Sequence, residues 1–187
     1  MRTTLLRCTA AVLLFFGMAV SVVPAHASPA RPGASPERHC VVHLGVAEKG
    51  QRYSPMSDLR CFSSPAEVRA EIAQENARPD IGIQAVLIGT DYTDPNYAGS
   101  SLNWTAPGAC YYNGTRPSWG APSMPAGWDN VVSSTRTYSG CKATMLYDYA
   151  NYGGISMVTG CNSTTLSFMD NRASAREWTD QTYGQPC

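Results

Sequence analysis

The sequence Asp-Asn-Val-Val-Ser-Ser at residues 129–134 returns as Asp-Asn-Arg-Ala-Ser-Ala at residues 170–175. A segment that runs from a tyrosine to a glycine seven positions later precedes each copy: residues 92–99 come before the first, and residues 147–154 before the second. A glycine at this distance from an aromatic residue suits a strand–turn–strand unit, because the ring packs over the turn and glycine permits positive φ. The duplication therefore predicts two equivalent structural units.

Both copies are rich in oxygen atoms that can bind a hard cation. Asp, Asn and Ser supply side-chain oxygens, and exposed turns supply carbonyl oxygens. Calcium takes six to eight oxygen ligands, more than one copy offers by itself. Two copies packed about a pseudo-twofold axis could lend ligands to each other, so the repeat predicts paired calcium sites.

The pair of units resembles the βγ-crystallin Greek-key domain in its calcium-binding microbial form. That family repeats an aromatic–six residues–Gly corner, followed by two Asp/Asn, two free positions, Ser/Thr and Ser. Residues 129–134 match at every defined position, and residues 170–175 match except at Ala175. The resemblance covers roughly residues 84–178 and implies a mainly β fold, a two-Greek-key sandwich.

The resemblance also implies the ligands. Ca2+ would be bound by backbone carbonyls and by the side chains at the second and fifth positions of each motif. With the first position of each motif included, the candidate metal residues are Asp129, Asn130, Ser133, Asp170, Asn171 and Ser174. Ala175 replaces a serine expected to support the corner by hydrogen bonding, which predicts a weaker site at Ser174. The alternative is a member of the fold that keeps these residues for corner packing and has lost the ion.

The N-terminus predicts export from the cell. A basic start, an apolar run over residues 10–24 and Ala25-His26-Ala27 are typical of a secretory signal peptide spanning residues 1–27. The apolar run is shorter than the ~20 residues of a membrane-spanning helix. We therefore expect a secreted, extracellular protein with no membrane association after cleavage.

The cysteines agree with export. Of seven cysteines, Cys8 lies in the predicted signal peptide, and the remaining six are Cys40, Cys61, Cys110, Cys141, Cys161 and Cys187. An even number in an exported chain predicts three disulfides, although six cysteines allow fifteen pairings. Pairing of neighbours along the chain suggests Cys40–Cys61 and Cys141–Cys161, which leaves Cys110 for Cys187.

The chain after the signal peptide divides into three parts by composition. Residues 28–38 predict a flexible leader, residues 39–80 a small N-terminal β/α module, and residues 83–187 the βγ-crystallin-like domain. The module reads as a disulfide-linked hairpin and a helix. Ser64, Pro65 and Glu67 form a capping box with proline in the first turn, so the helix should begin there and end near Asn76. We expect the module to pack on the larger domain.

The first unit is longer than the second. Gly99 and Asp129 are 30 residues apart, against 16 for Gly154 and Asp170. An insertion of about 14 residues therefore falls within residues 104–127, which hold Cys110, Tyr111, Tyr112 and Trp119. The aromatic residues predict either a recognition surface or a cap on the sandwich core.

No pattern in the sequence indicates an enzyme. His39 and His43 would lie too far apart on a strand to share a metal ion. Asp91 and Asp94 could imitate a glycosidase pair, but turn or calcium roles fit their place better. Without Arg2 and Arg7, twelve basic residues face fourteen acidic ones, which gives no reason to expect nucleic-acid binding.

The sequence thus predicts a secreted, non-enzymatic, monomeric protein in which calcium locks paired corners together. The alternative is a secreted peptidase inhibitor or toxin-like effector on the same fold, since small crystallin-like domains resemble such families. A cell-wall or carbohydrate-binding module is a third hypothesis. Beyond calcium, the expected partner is a secreted protease or a cell-surface component.

Overall fold

The computed structural model describes residues 36–51, 53–78, 84–111 and 118–187. The predicted signal peptide, most of the predicted leader, the predicted domain start at residue 83 and Tyr112 lie outside these ranges. No helix in the described ranges is long and apolar enough to cross a membrane.

Two β-sheets make up most of the described structure. The strands are β1 (His39–His43), β2 (Arg60–Phe62), β3 (Val86–Asp94), β4 (Ala98–Ala106), β5 (Trp119–Ala121), β6 (Ser134–Thr137), β7 (Ala143–Tyr149), β8 (Gly153–Thr159), β9 (Asn162–Ser163) and β10 (Ala175–Thr179), with one helix, α1 (Pro65–Asn76). The six-stranded sheet has the order β2-β1-β4-β3-β6-β9, and the four-stranded sheet has the order β5-β10-β7-β8.

The strands of the two sheets come from two units of four strands each, and each unit gives one strand to the sheet of the other. The first unit is β3–β6 and the second is β7–β10. The third strand of the first unit, β5, pairs with β10 of the second, and the third strand of the second, β9, pairs with β6 of the first. Each sheet therefore needs both halves of the repeat, and the two-Greek-key sandwich predicted from the sequence is confirmed.

The N-terminal segment extends the first sheet. Strand β1 runs parallel to β4, with His39 opposite Ser101 and His43 opposite Thr105, and β2 pairs antiparallel with β1. Since β4 would otherwise be an edge strand, β1 covers its open hydrogen-bonding groups. The sequence predicted the hairpin and its packing on the larger domain, but gave no sign of the parallel pairing.

Helix α1 begins and ends where its capping residues predict. The Ser64 side chain accepts a hydrogen bond from the Glu67 backbone N–H, the Glu67 side chain accepts from the Ser64 N–H, and Pro65 is the first helical residue. Val68 is buried and Ile72 half-buried, so these two residues, one turn apart, mark the inner face of the helix. Arg60 of β2 pairs with Glu71 and Glu75 of the helix.

The core lies between the two sheets. Trp104 of β4, Trp178 of β10 and Trp128 of the loop before the first motif are all buried, and the first two rings are 5.0 Å apart. The same interior holds a charged pair, Asp91 of β3 and Arg176 of β10, each with a side chain 0 % exposed. The three buried tryptophans contribute strongly to the hydrophobic stabilisation of the fold. Among them lies an ion pair that joins the two sheets.

The structure contradicts two of the predicted disulfides. Cys40–Cys61 is confirmed, whereas Cys110 pairs with Cys141 and Cys161 pairs with Cys187. Cys141 lies in the turn after β6, and the Cys110 N–H donates to the Ser139 carbonyl of that turn at 3.0 Å. The Cα atoms of Cys110 and Cys141 are 4.8 Å apart. All three observed bonds join successive cysteines. The short spacing of Cys141 and Cys161 was the wrong guide, because the insertion folds back onto the turn that holds Cys141.

Candidate functional site

The two tyrosine-to-glycine segments fold into matching corners. Each contains Tyr, Asn, Tyr and Gly at the same spacing, over residues 92–99 and 147–154. In the first, Tyr92 and Tyr97 pack edge to face with ring centroids 5.6 Å apart; in the second, Tyr147 and Tyr152 do so at 5.4 Å. Burial, together with neighbouring Tyr138, raises the pKa of Tyr92 to about 12, so its hydroxyl stays protonated at alkaline pH values where an exposed tyrosine would ionise.

The glycine ends each corner in a left-handed conformation. Gly99 and Gly154 both have φ of +75°, and a Cβ on either would meet the side chains of the preceding corner. At Gly154 that Cβ would lie 2.9 Å from the Tyr149 ring and 3.0 Å from the Asp148 Cβ. The conformation and the contact together explain why both corners end in glycine.

The two motif loops face each other and exchange backbone hydrogen bonds. The Asn130 N–H donates to the Ala173 carbonyl at 3.1 Å, and the Asn171 N–H donates to the Val132 carbonyl at 2.9 Å. Both asparagines are left-handed, with φ of 58° and 54°. The reciprocal contacts follow the pseudo-twofold relation of the two units.

The serines complete the exchange between side chains. The Ser133 hydroxyl lies 3.4 Å from Asn171 Oδ1, and the Ser174 hydroxyl lies 3.4 Å from Asn130 Oδ1. The Ser133 and Ser174 N–H groups donate to the carbonyls of Tyr92 and Tyr147, at 2.9 and 2.8 Å, so each serine is fixed against its own corner. The four residues form two groups, which we call the Ser133 corner (Ser133 with Asn171) and the Ser174 corner (Ser174 with Asn130).

The last motif position differs between the corners. The Ser134 hydroxyl donates to the Asp94 carbonyl at 2.7 Å and accepts from the Tyr97 N–H at 3.0 Å, which ties the first corner across its turn. Ala175 has no hydroxyl with which to make the same bridge. The supporting hydrogen bonds expected for this serine are therefore present in the first unit.

The Ser174 corner opens into a cavity of about 460 Å³. Ser174, Asn130 and two carboxylates, Asp129 and Asp148, line it, together with residues 123–127, Tyr149 and Ala150. Asp129 accepts a hydrogen bond from the Asn130 amide at 3.2 Å. Asp170, the equivalent of Asp129, is exposed at the start of the second motif, where its N–H donates to the Ser167 carbonyl.

Asp148 is held by an arginine of the second motif. Arg172 donates from Nε to Asp148 Oδ1 at 3.1 Å and from Nη2 to Oδ2 at 2.6 Å. The hydrogen bonds and charge of Asp148 raise the pKa of Arg172, which keeps the guanidinium charged. Nothing in the spacing of the sequence indicated this pair, because Asp148 and Arg172 are 24 residues apart.

The strand exchange and the reciprocal motif contacts decide the architecture. The fold is that of a βγ-crystallin domain. Among the solved structures to which the chain is similar is a βγ-crystallin from an archaeon, with 18 % identity over 50 % of this chain and 98 % of that one and a TM-score of 0.36. A βγ-crystallin domain from Flavobacterium johnsoniae is 23 % identical over 49 % of this chain and 92 % of that one, with a TM-score of 0.36. A βγ-crystallin domain from Clostridium beijerinckii is 16 % identical over 50 % of this chain and 99 % of that one, with a TM-score of 0.37. No family model matches the sequence, and no curated protein matches it.

The donor set of both corners in this βγ-crystallin-like chain fits calcium. The candidate side chains offer amide, hydroxyl and carboxylate oxygens, and the corners add backbone carbonyls, which are the ligands of a hard cation. In the part of the chain that the structure describes, no group of three or more His, Cys, Asp or Glu side chains lies together. A cation bound at the corners would therefore be held by amide, hydroxyl and carbonyl oxygens together with the few carboxylates nearby, which at the Ser174 corner are Asp129 and Asp148.

The other residues singled out from the sequence have structural partners. His39 Nδ1 lies 2.9 Å from the Ser101 hydroxyl, and His43 Nδ1 lies 3.1 Å from the Thr105 hydroxyl, so each histidine has its own neighbour on β4. Asp91 pairs with Arg176 in the core and accepts from the Trp104 indole N–H at 2.7 Å. That carboxylate is committed to the interior, away from Asp94 at the exposed corner.

The insertion carries one buried and one exposed aromatic residue. Trp119 of β5 is 6 % exposed and packs in the core, whereas Tyr111 is 55 % exposed. The centroids of the two rings are 6.4 Å apart. The Ser118 hydroxyl donates to the Tyr111 carbonyl and accepts from its N–H, which fixes this end of the insertion. Packing therefore accounts for Trp119, and Tyr111 alone of this pair is available to a partner.

Proposed function

We propose that this chain is a secreted, non-enzymatic calcium-binding protein in which ions join its two motif loops. The observation that carries the proposal is the reciprocal exchange: each serine faces the asparagine oxygen of the opposite motif. A cation at either corner would bind oxygens from both halves of the sandwich. Its loss would leave those oxygens without their bridging charge.

The residues that would hold calcium fall into the two corners already described. At the Ser133 corner these are Ser133 and Asn171, and at the Ser174 corner Ser174 and Asn130, with backbone carbonyls completing each set. Asp129 and Asp170 lie at the start of the loops and contribute negative charge. Bound calcium would supply a positive charge that offsets the repulsion among these oxygens.

Thermal unfolding with and without calcium tests this function. A ligand that binds only the folded state stabilises it by about 2.7 kcal/mol at one hundred times its dissociation constant. We expect the melting temperature to rise in calcium, to return to its starting value with excess chelator, and to be unaffected by magnesium at the same ionic strength. An identical melting temperature in calcium and in chelator would rule out the proposal.

Secretion has its own support and its own test. The described part of the chain contains three disulfides, and disulfides persist in oxidising compartments. Expression of the full sequence should deliver a protein into the medium whose first residue is Ser28, which N-terminal sequencing would identify. Retention of residues 1–27 on the mature protein would contradict cleavage.

The exposed Tyr111 favours a second candidate function. It lies beside Cys110 on a loop fixed to the β6–β7 turn, and rigid aromatic residues are common anchors of protein recognition. A peptidase inhibitor using this loop should inhibit secreted metallo- or serine proteases at micromolar concentration, and Tyr111→Ala should weaken that inhibition. Absence of inhibition with intact calcium binding would leave the first function alone.

A further inference from the structure

The two corners differ in the charges placed around them. Where the second corner has Asp148 directly after its first tyrosine, the first has Thr93. Where the second motif has Arg172 at its third position, the first has Val131. The second unit therefore has an acid and a base at two positions where the first unit has an uncharged residue.

The acid and the base meet at the Ser174 corner. Asp148 lines the cavity beside Ser174 and Asn130, and only 10 % of its side chain is exposed. Arg172 contacts both carboxylate oxygens, at 3.1 and 2.6 Å, while 45 % of its own side chain is exposed. The arginine therefore approaches from the solvent side and occupies the oxygens of a carboxylate that borders the candidate site.

We propose that Arg172 sets the calcium affinity of the Ser174 corner by competing with the ion for the Asp148 carboxylate. The inference rests on the proposed calcium function and adds a determinant to it that the βγ-crystallin motif does not contain. Two effects act in the same direction. The guanidinium repels a divalent cation, and it occupies the carboxylate oxygens that would otherwise attract that cation.

The charges predict opposite effects for the two partners. Removing Arg172 leaves Asp148 free to the cavity, which should tighten calcium binding at this corner about tenfold, the order expected for one unit charge acting on a divalent ion near the surface. Removing the charge of Asp148 leaves the guanidinium beside the cavity without its partner, which should weaken binding about tenfold or more. The Ser133 corner has neither group and should not respond.

Calorimetric titration with calcium tests the proposal in a Ser133→Ala background, which leaves the Ser174 corner to be measured alone. Arg172→Gln removes the charge, and Arg172→Lys is the matched control that keeps it. Asp148→Asn and the double variant complete the cycle. Circular dichroism and melting in chelator confirm that each variant is folded, and the exposed position of Arg172 favours this.

The expected result is tighter binding in Arg172→Gln, a change of less than threefold in Arg172→Lys, and weaker binding in Asp148→Asn. In the double variant, loss of the gain seen in Arg172→Gln would show that the gain acts through Asp148. Calcium binding that Arg172→Gln leaves unchanged or weakens overturns this inference and spares the proposed function. Absence of calcium binding in the parent and in every variant overturns both.

Discussion

At the scale of single residues, the most unusual feature is the charged pair in the core. Asp91 and Arg176 have no exposed side-chain surface. Arg176 also donates to the hydroxyls of Thr135 and Thr144, at 3.2 and 3.0 Å, and its guanidinium lies 4.3 Å from the Trp178 ring centre. Breaking a buried pair costs more than forming it contributes, because the remaining charge has no water around it.

Asp91→Asn should therefore lower the free energy of unfolding by about 3–5 kcal/mol, since it leaves Arg176 buried without a counter-charge. Arg60→Gln is the control, because Arg60 is 39 % exposed and pairs with two glutamates at the surface. It should cost less than about 1 kcal/mol. Chemical denaturation measures both, and equal losses would contradict the role given to burial.

Stability should also depend on His43 in mildly acidic solution. Burial, and secondarily the charge of Arg60, lowers the pKa of His43. His43 therefore binds a proton more readily in the unfolded chain than in the folded one. Its contribution to the free energy of unfolding is complete above the unfolded pKa of ~6.5 and is lost as pH falls toward the lower pKa of the folded state. His43→Gln should reduce the loss of unfolding free energy on going from about pH 7.5 to about pH 5.5. Parallel stability profiles for the two proteins would show that His43 is not involved.

At the scale of elements, sequence reasoning succeeded where a local rule decides the structure. The capping box fixed the start of α1, and the spacing of Tyr and Gly located both corners, because these features depend on residues a few positions apart. Ile155 shows the limit of such rules. Strand alternation puts Ile155 and Met157 of β8 on the same face, yet Ile155 is 55 % exposed, while Met157 packs against the core.

Long-range pairings could not be derived in the same way. The parallel contact of β1 with β4 and the Asp148–Arg172 pair each join segments that local sequence does not relate. The doubled motif succeeded at long range only because repetition implied symmetry, and symmetry implied that each loop faces the other.

The disulfide pattern is a prediction at this scale. Proteolysis of the non-reduced protein, followed by mass spectrometry, should yield linked peptides for Cys110–Cys141 and Cys161–Cys187. Replacing both Cys110 and Cys141 with alanine should lower the free energy of unfolding by about 3–4 kcal/mol, because the bond closes a long loop in the unfolded chain. A Cys141–Cys161 peptide would contradict the packing of the insertion described above.

The missing bridge in the second corner gives another prediction. Ser134 connects the Asp94 carbonyl and the Tyr97 N–H, whereas Ala175 holds the equivalent place without a hydroxyl. Ala175→Ser should restore such a bridge, raise the free energy of unfolding by about 1 kcal/mol, and tighten calcium at the Ser174 corner. Ser134→Ala is the converse variant and should destabilise the first corner. An Ala175→Ser protein with unchanged melting and unchanged calcium affinity would show that the two corners do not differ for this reason.

At the scale of the whole molecule, the two units depend on each other. They exchange strands β5 and β9, share a tryptophan-lined core, and place each serine against the asparagine of the opposite loop. Ions at the corners would join the same halves that the strand exchange already links. Calcium should therefore stabilise the entire sandwich against unfolding, and should do so through both motif loops.

The most direct test is a calorimetric calcium titration of the parent protein and of two single variants, Asn130→Gly and Asn171→Gly. Glycine removes the amide oxygen but retains the left-handed backbone that both positions adopt. The parent should bind two ions; Asn130→Gly should lose the ion at the Ser174 corner, and Asn171→Gly the ion at the Ser133 corner. No binding by the parent, or two ions still bound by either variant, would contradict calcium coordination by exchanged ligands.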